Sequence, residues 1–441
     1  YGPLVHFGAT VSVFLRRLTF MPKIQHDIII GSGVAAAISA AFGAPIAGII
    51  FAHETVLRHF SLKAITSIAL SSMIANYTAI KLNIISPPLL LERINFDLIS
   101  VLSGLTLVGP LAAIVAIIFI KLLLIVNKFP NYAGLKNWQT PIIAGIACGI
   151  IGLFLDEILG LGTNTLLEVL TINFDISFLI ILLLGKLILT SLCIGLGFFG
   201  GVFSPALFLG ALVGALIYNL DFLNFEQNHL SILAVSGMAA ISSSVIGAPI
   251  TAIILVLELT GSYDYAIAAT LPVAICTFIT SRTLGNSFFD KQLFSRGIEI
   301  SKGREQISLN QLKIIQFTEK TFTNFFIDTT VDEAIRKFKK TKTTEGYITD
   351  KNNIFHGKIN LLDIMHKKNG EKIINYKSKN PLVLSPNISL LETIKKLSKF
   401  VGESIPIVDS KTKKINGIIS ENTVLQAYLD VSEEINLIEK N

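Results

Sequence analysis

Along the first 300 residues apolar side chains run in long, nearly uninterrupted stretches, and beyond about residue 305 they alternate with polar ones over short distances. Stretches of membrane-crossing length lie at about 28–52, 64–80, 104–126, 141–155, 176–199, 203–219, 230–257 and 265–283, on the scale set by a hydrocarbon core ~30 Å thick. Gly43-Ala44-Pro45 falls inside the first, Gly109-Pro110 inside the third and Gly247-Ala248-Pro249 inside the seventh. Such interruptions predict broken or tilted helices, which membrane proteins tolerate where backbone lines a cavity rather than lipid. The tail reads as two strand–helix–strand–strand–helix units, near 310–370 and 378–435. In each, an acid-capped amphipathic helix (330–338 and 389–397) precedes two short β-rich runs.

Charge divides the chain in the same place. Of 441 residues 15% are charged and 51% hydrophobic, with a mean hydropathy of +0.63. Soluble domains carry about a quarter charged residues, so the balance excludes a disordered chain and a small disulfide scaffold and argues against a wholly soluble enzyme. Residues 1–300 hold 14 basic and 14 acidic side chains, whereas the remainder hold 23 and 17, so the net +6 sits in the tail. That excess suits the cytoplasmic face of a membrane and is too weak to indicate nucleic acid. The expected organisation is a membrane body over 1–304 and a soluble tail over 305–441.

An internal repeat sharpens the picture. Residues 32–54 and 236–258 align without gaps at 12 identities in 23 positions, sharing Gly-Ala-Pro-Ile and a closing glutamate, Glu54 and Glu258. Upstream, Pro3, Gly8 and Ala9 echo Pro205, Gly210 and Ala211. Two related membrane halves place a substrate site at their interface, near the bilayer midplane, which points to a transporter or channel. Some sixty apolar residues precede Phe203 but none precede Tyr1, so the start of the first half is expected to lie outside this chain.

The candidate chemistry sits in Gly-Leu-Gly-Phe-Phe-Gly-Gly-Val-Phe-Ser-Pro (195–205). Four glycines before a proline describe a loop entering a helix inside the membrane, with Pro205 in the first turn, where its missing N–H costs nothing. The N–H groups of that turn and the positive end of the dipole make an anion site with no charged side chain. Oriented amides bind weakly enough for passage, whereas a buried lysine would hold a halide too tightly. Cys148, Cys193 and Cys276 are far apart in apolar runs and read as small buried hydrophobes. The histidines show no metal spacing, and no nucleophilic triad or phosphate loop occurs, so no enzyme is expected.

These motifs resemble one family. Gly200-Gly-Val-Phe-Ser-Pro-Ala-Leu-Phe-Leu-Gly-Ala211 is similar to the GxFxP element of the CLC chloride channels and transporters. Tyr1-Gly2-Pro3 resembles the end of its GxEGP element, and the two Gly-Ala-Pro-Ile segments and Asn286-Ser-Phe-Phe-Asp290 follow in the family's order. The fold implied is an α-helical polytopic membrane protein of two inverted-topology repeats with broken helices, followed by a soluble α/β tandem of CBS domains. The resemblance implies a homodimer in membrane lipid, one chloride passage per subunit and a cytoplasmic tail. It places the anion at Gly201, Val202 and Phe203, and the family's anion-touching tyrosine at Phe289, which lacks the hydroxyl. A hydrogen bond to a charged partner is worth about 1.5–3 kcal/mol.

Two departures bear on transport mode. The family's gate glutamate falls at Tyr1, beside Gly2 and Pro3, and a phenol titrates near pH ~10. Its inner proton glutamate falls at Thr55, which does not titrate, leaving Glu54 or His53 to replace it. Both losses point to a passive chloride channel, with a chloride/proton antiporter as the alternative. A second alternative is a membrane-bound sensor acting through the CBS pair. Adenosine-binding CBS modules follow Gly-x-x-Ser/Thr-x-x-Asp, and here Gly357…Asn360…Asp363 and Gly417…Ser420…Thr423 each hold half of it. Asp363 and Ser420 are the residues left to meet a nucleotide, and a structural dimerisation and gating platform is the competing role.

Overall fold

In a computed structural model of the chain, residues 2–19, 26–84, 98–136, 138–220, 225–226, 228–285, 287–295, 303–398 and 400–440 are described. They form two compact units, residues 1–297 and 298–440.

The described part of the first unit is helical. Its first half contains α1 (Gly2–Thr19), α2 (His26–Phe42), α3 (Pro45–Phe51), which continues as a π-helical turn over Ala52–Leu57, and α4 (Leu62–Lys81). Then come α5 (Leu98–Tyr132), α6 (Gln139–Gly152), α7 (Thr163–Thr171) and α8 (Ile176–Gly195). The second half closes with α9 (Phe203–Tyr218), α10 (His229–Ile246), α11 (Pro249–Thr260), α12 (Tyr263–Leu284) and α13 (Phe288–Ser295). Among the described residues four helical stretches, Leu98–Pro130, Ile176–Gly195, His229–Ile246 and the one that begins at Tyr263, are long and apolar enough to cross a membrane. Every residue of α10 is buried, as its all-round apolar sequence requires, and α5, α9 and α12 pack about it.

Both Gly-Ala-Pro segments are hinges of the same geometry. Gly43 and Gly247 end their helices at φ 66° and 83°, a left-handed stop open to glycine without strain. Ala44 (φ −123°, ψ 78°) and Ala248 (φ −134°, ψ 72°) then turn the chain, and Pro45 and Pro249 open α3 and α11. The stretches 28–52 and 230–257 are therefore two helices each. The helix pairs upstream also cross alike. A Cβ on Gly8 would lie 2.3 Å from the Gly33 carbonyl oxygen, and one on Gly210 would lie 2.2 Å from that of Gly237. Both crossings bring backbones into contact, which only glycine permits.

Gly109-Pro110, in contrast, does not break its helix, because α5 runs through it. Gly109 lies under Ile275 of α12, where a Cβ would sit 2.7 Å from the isoleucine Cβ, and this packing holds the proline turn in line.

The second unit begins with α14 (Gly303–Gln311) and β1 (Asn324–Phe326), then α15 (Val331–Thr341), β2 (Glu345–Thr349), β3 (Phe355–Asn360) and the single turn α16 (Leu361–Ile364). It continues with α17 (Leu390–Leu397), β4 (Ser404–Val408), β5 (Ile415–Ser420) and α18 (Glu421–Lys440). β1 pairs parallel to β2, β2 antiparallel to β3, and β4 antiparallel to β5. The opening strand expected in the second module is reduced to one bridge, Leu384 to Ile407. Pro381 and Pro386 flank it and withhold the donors a longer ladder needs. Thr330 and Glu333 form a capping box on α15, which buries Val331, Ala334 and Phe338 at helical spacing.

Candidate anion-binding site

Two helix starts meet at the loop between α8 and α9. Val202, 4% exposed, is the N-cap of α9, and no side chain caps that helix. A Cβ on Gly201 would lie 2.7 Å from the Gly2 nitrogen, and one on Gly2 would lie 3.1 Å from the Gly201 Cα. The α1 and α9 starts thus touch through backbone, bringing Gly2 of the predicted gate position against Gly201 of the predicted anion site. First-turn N–H groups have no intrahelical acceptor, and the positive end of the α9 dipole favours an anion there. The Phe203 ring packs on Phe42 of the first half at 5.0 Å.

The other two half-helix starts are closed. The Glu258 carboxylate accepts the N–H groups of Ile46 (2.9 Å) and Ala47 (2.7 Å), capping α3. Glu54 accepts those of Ile250 (3.1 Å) and Thr251 (2.9 Å) and the Thr251 hydroxyl (2.7 Å), capping α11. Each repeat thereby lends its glutamate to the other, and an external anion has a built-in competitor at both places.

Of the other positions singled out above, Tyr1 lies outside the described residues. Thr55, in the π-helical turn, donates its hydroxyl to the Phe51 carbonyl at 2.7 Å. His53 is fully buried, with Nδ1 3.0 Å from the His59 carbonyl oxygen and its ring stacked on Phe60. Because a carbonyl only accepts, Nδ1 carries a proton, and no described group hydrogen-bonds to Nε2. Phe289 is 37% exposed at the start of α13, while Phe288, 7% exposed, belongs to the buried cluster containing Val202. Asp290 pairs with Arg58, tying α13 to the turn after α3.

Sequence reasoning passed over Lys186. It is 2% exposed in α8, and its Nζ donates to the carbonyls of Ile158 (2.8 Å) and Gly160 (3.0 Å) and lies 4.8 Å from the centre of the Phe208 ring. A single lysine inside a twenty-residue apolar helix was the available signal, since ionisable groups at membrane depth are rare and functional.

In the tail, Asn360 caps α16, which carries Asp363, by accepting the Leu362 N–H at 3.1 Å. Ser420 donates to the Glu319 carboxylate at 3.0 Å, and Thr423 donates to the same oxygen. Ser420, the residue left to meet a phosphate, therefore already holds an acid.

The model of the voltage gated chloride channel family matches residues 1–281. The chain belongs to the CLC family. A CBS domain model matches residues 373–430. The chain is 30% identical over 322 residues, covering 69% of itself and 67% of the relative, to the H(+)/Cl(-) exchange transporter ClcA of Vibrio parahaemolyticus. Among solved structures it is similar in fold to a slow cyanobacterial Cl-/H+ antiporter, with TM-score 0.59 and 21% identity over 66% of this chain and 70% of that one. A eukaryotic CLC transporter aligns over 96% of this chain and 76% of its own, with TM-score 0.55 and 16% identity. Family and apolar helices together make this CLC protein a multi-pass membrane protein of a transporter family.

Proposed function

We propose that this CLC protein carries chloride across a membrane in exchange for protons, with the anion held where α1 and α9 begin. The observation that carries the anion site is the contrast between helix starts. Two are closed by the protein's own carboxylates, and two converge at Gly2 and Gly201 with no side-chain cap on α9. Curated relatives that are named exchange transporters favour coupling to protons over the passive channel expected from Tyr1 and Thr55.

Exchange needs a titratable carrier. Glu54 is engaged as a helix cap, so protonating it weakens the hold on α11. His53 has an available Nε2 two residues before Thr55 and is the better candidate. The channel reading retains one specific support, the non-titrating Thr55 with its hydroxyl bound to Phe51.

The tail is read as a cytoplasmic gating platform rather than a nucleotide site, because a phosphate approaching Ser420 meets the Glu319 carboxylate. Exposed apolar residues on α4, among them Leu70, Ile74 and Tyr77, call for lipid or a second subunit, in keeping with a homodimer. Chloride efflux from liposomes with simultaneous recording of external pH tests the function and its mode together.

A further inference from the structure

Among the described residues of the first unit, Lys186 is the one buried lysine, arginine, aspartate or glutamate. Among the described residues no carboxylate pairs with it. Its two hydrogen bonds go to carbonyl oxygens and its third neighbour is an aromatic face, a favourable partner for a cation but one without charge. An uncompensated ammonium at membrane depth is expensive, and a simple anchor for carbonyls would be served by an uncharged donor.

The same short loop joins Lys186 to the start of α9. Lys186 holds the carbonyl of Gly160, and Ser204, in the first turn of α9, donates to the carbonyl of the next residue, Leu161, at 3.4 Å. Phe208, under the ammonium, is five residues along α9 from Phe203. Gly162 completes the loop, where a Cβ would lie 2.9 Å from the Phe208 ring. Phe208 lies about one and a half turns past Phe203, so the ammonium sits roughly 8 Å along α9 from its start.

We propose that Lys186 is a positioning residue whose fixed positive charge, set behind the start of α9, raises the affinity of the anion site without contacting the anion. The proposal rests on the anion-transport reading above. The arrangement separates attraction from release. Backbone amides touch the ion and let it go, and the lysine, anchored on Ile158 and Gly160, supplies field but no ligand. Across such a separation, in protein of effective dielectric about 20, one charge shifts anion affinity about tenfold or more.

The test is calorimetric titration of sodium chloride into the purified full-length protein, with melting temperature recorded for every variant. Lys186→Gln, which keeps a donor for the carbonyls and removes the charge, is expected to weaken chloride binding about tenfold or more, and Lys186→Arg to keep it within about twofold. Phe208→Leu, which keeps the cation and removes the ring, is expected to retain affinity, so the proposal can still fail if Lys186→Gln does not fold. Wild-type affinity in a folded Lys186→Gln protein overturns the proposal and leaves the transport reading standing. Weakened binding in a folded Phe208→Leu protein assigns the effect to packing and overturns it as well. Absence of chloride binding in the wild type removes the transport reading and the proposal together.

Discussion

Glu54 and Glu258 hold each other's helices: the first caps α11 and the second caps α3. The reciprocity reflects the repeat, since both carboxylates end one copy of a shared segment. Proline at the first position of each capped helix removes one donor, and the carboxylate takes the next two. Replacing Glu54 or Glu258 with alanine leaves two helix-start donors unmet, one of them on a buried residue, and is expected to cost about 1–3 kcal/mol in each case. Melting of the detergent-solubilised protein should drop by a similar amount for both, and less for Glu54→Gln. A Glu54→Ala protein that melts like the wild type contradicts the capping role.

The contact between α1 and α9 gives a sharper comparison between neighbouring glycines. A Cβ on Gly200 would meet only Ile194 at an ordinary 3.5 Å, whereas one on Gly201 would press into Gly2 at 2.7 Å. Gly201→Ala is expected to reduce chloride efflux about tenfold or more by forcing the helix starts apart, on the scale of overpacking in a close-packed interior. Gly200→Ala should leave efflux near wild type. Equal effects from the two would remove the helix-start contact from the anion site.

In the tail, Lys358 and Glu345 form a buried ion pair at 2.6 Å. Glu345 also accepts the Ser404 N–H and Lys358 donates to the Ser404 carbonyl, so the pair joins β2 and β3 to β4. Lys358→Met alone strands a buried carboxylate and should destabilise the tail by about 3–5 kcal/mol. Removing both charges in Lys358→Met/Glu345→Leu should recover much of that loss. Thermal unfolding of the full chain checks both, and a double variant no better than the single one argues against an unpaired charge as the cause.

Acid sensitivity of the tail follows from its turns. The N–H groups of Ile354 and Asn352 hold the Asp350 carboxyl below its usual range, and those of Thr412 and Lys411 do the same for Asp409. Carboxyls with lowered pKa contribute stability that is fully present above their unfolded value, about 3.9, and is lost as pH falls through the folded value. Tail stability should therefore be flat from neutral pH down to about 5 and fall below about 4. Asp350→Asn with Asp409→Asn should flatten that fall. An unchanged acid profile in the double variant would show that other groups set it.

Much of the architecture was legible before any coordinates. Gly43-Ala44-Pro45 and Gly247-Ala248-Pro249 marked both hinges, because a left-handed glycine and a helix-opening proline are local demands. Gly8 and Gly210 showed only as matched positions of the repeat, because their crossing partners, Gly33 and Gly237, lie elsewhere in the chain. The partners of Glu54 and Glu258 were not legible: each lies about 200 residues away, and sequence shows a carboxylate at a helix end without showing which helix start it meets. Pro110 misled because local propensity predicts a break, while packing on Ile275 decides otherwise. Lys186 was visible as a lone charge in α8, but its anchoring on the 158–160 carbonyls is a long-range contact.

The measurement that tests the central claim most directly is chloride efflux from liposomes holding the full-length protein, with external pH followed in the same vessel. Chloride leaving with protons entering at a fixed ratio is the expected result, with the ratio disturbed in His53→Phe. Chloride efflux with no proton movement would contradict exchange and restore the passive channel. No chloride movement at all would contradict the anion passage at Gly2 and Gly201.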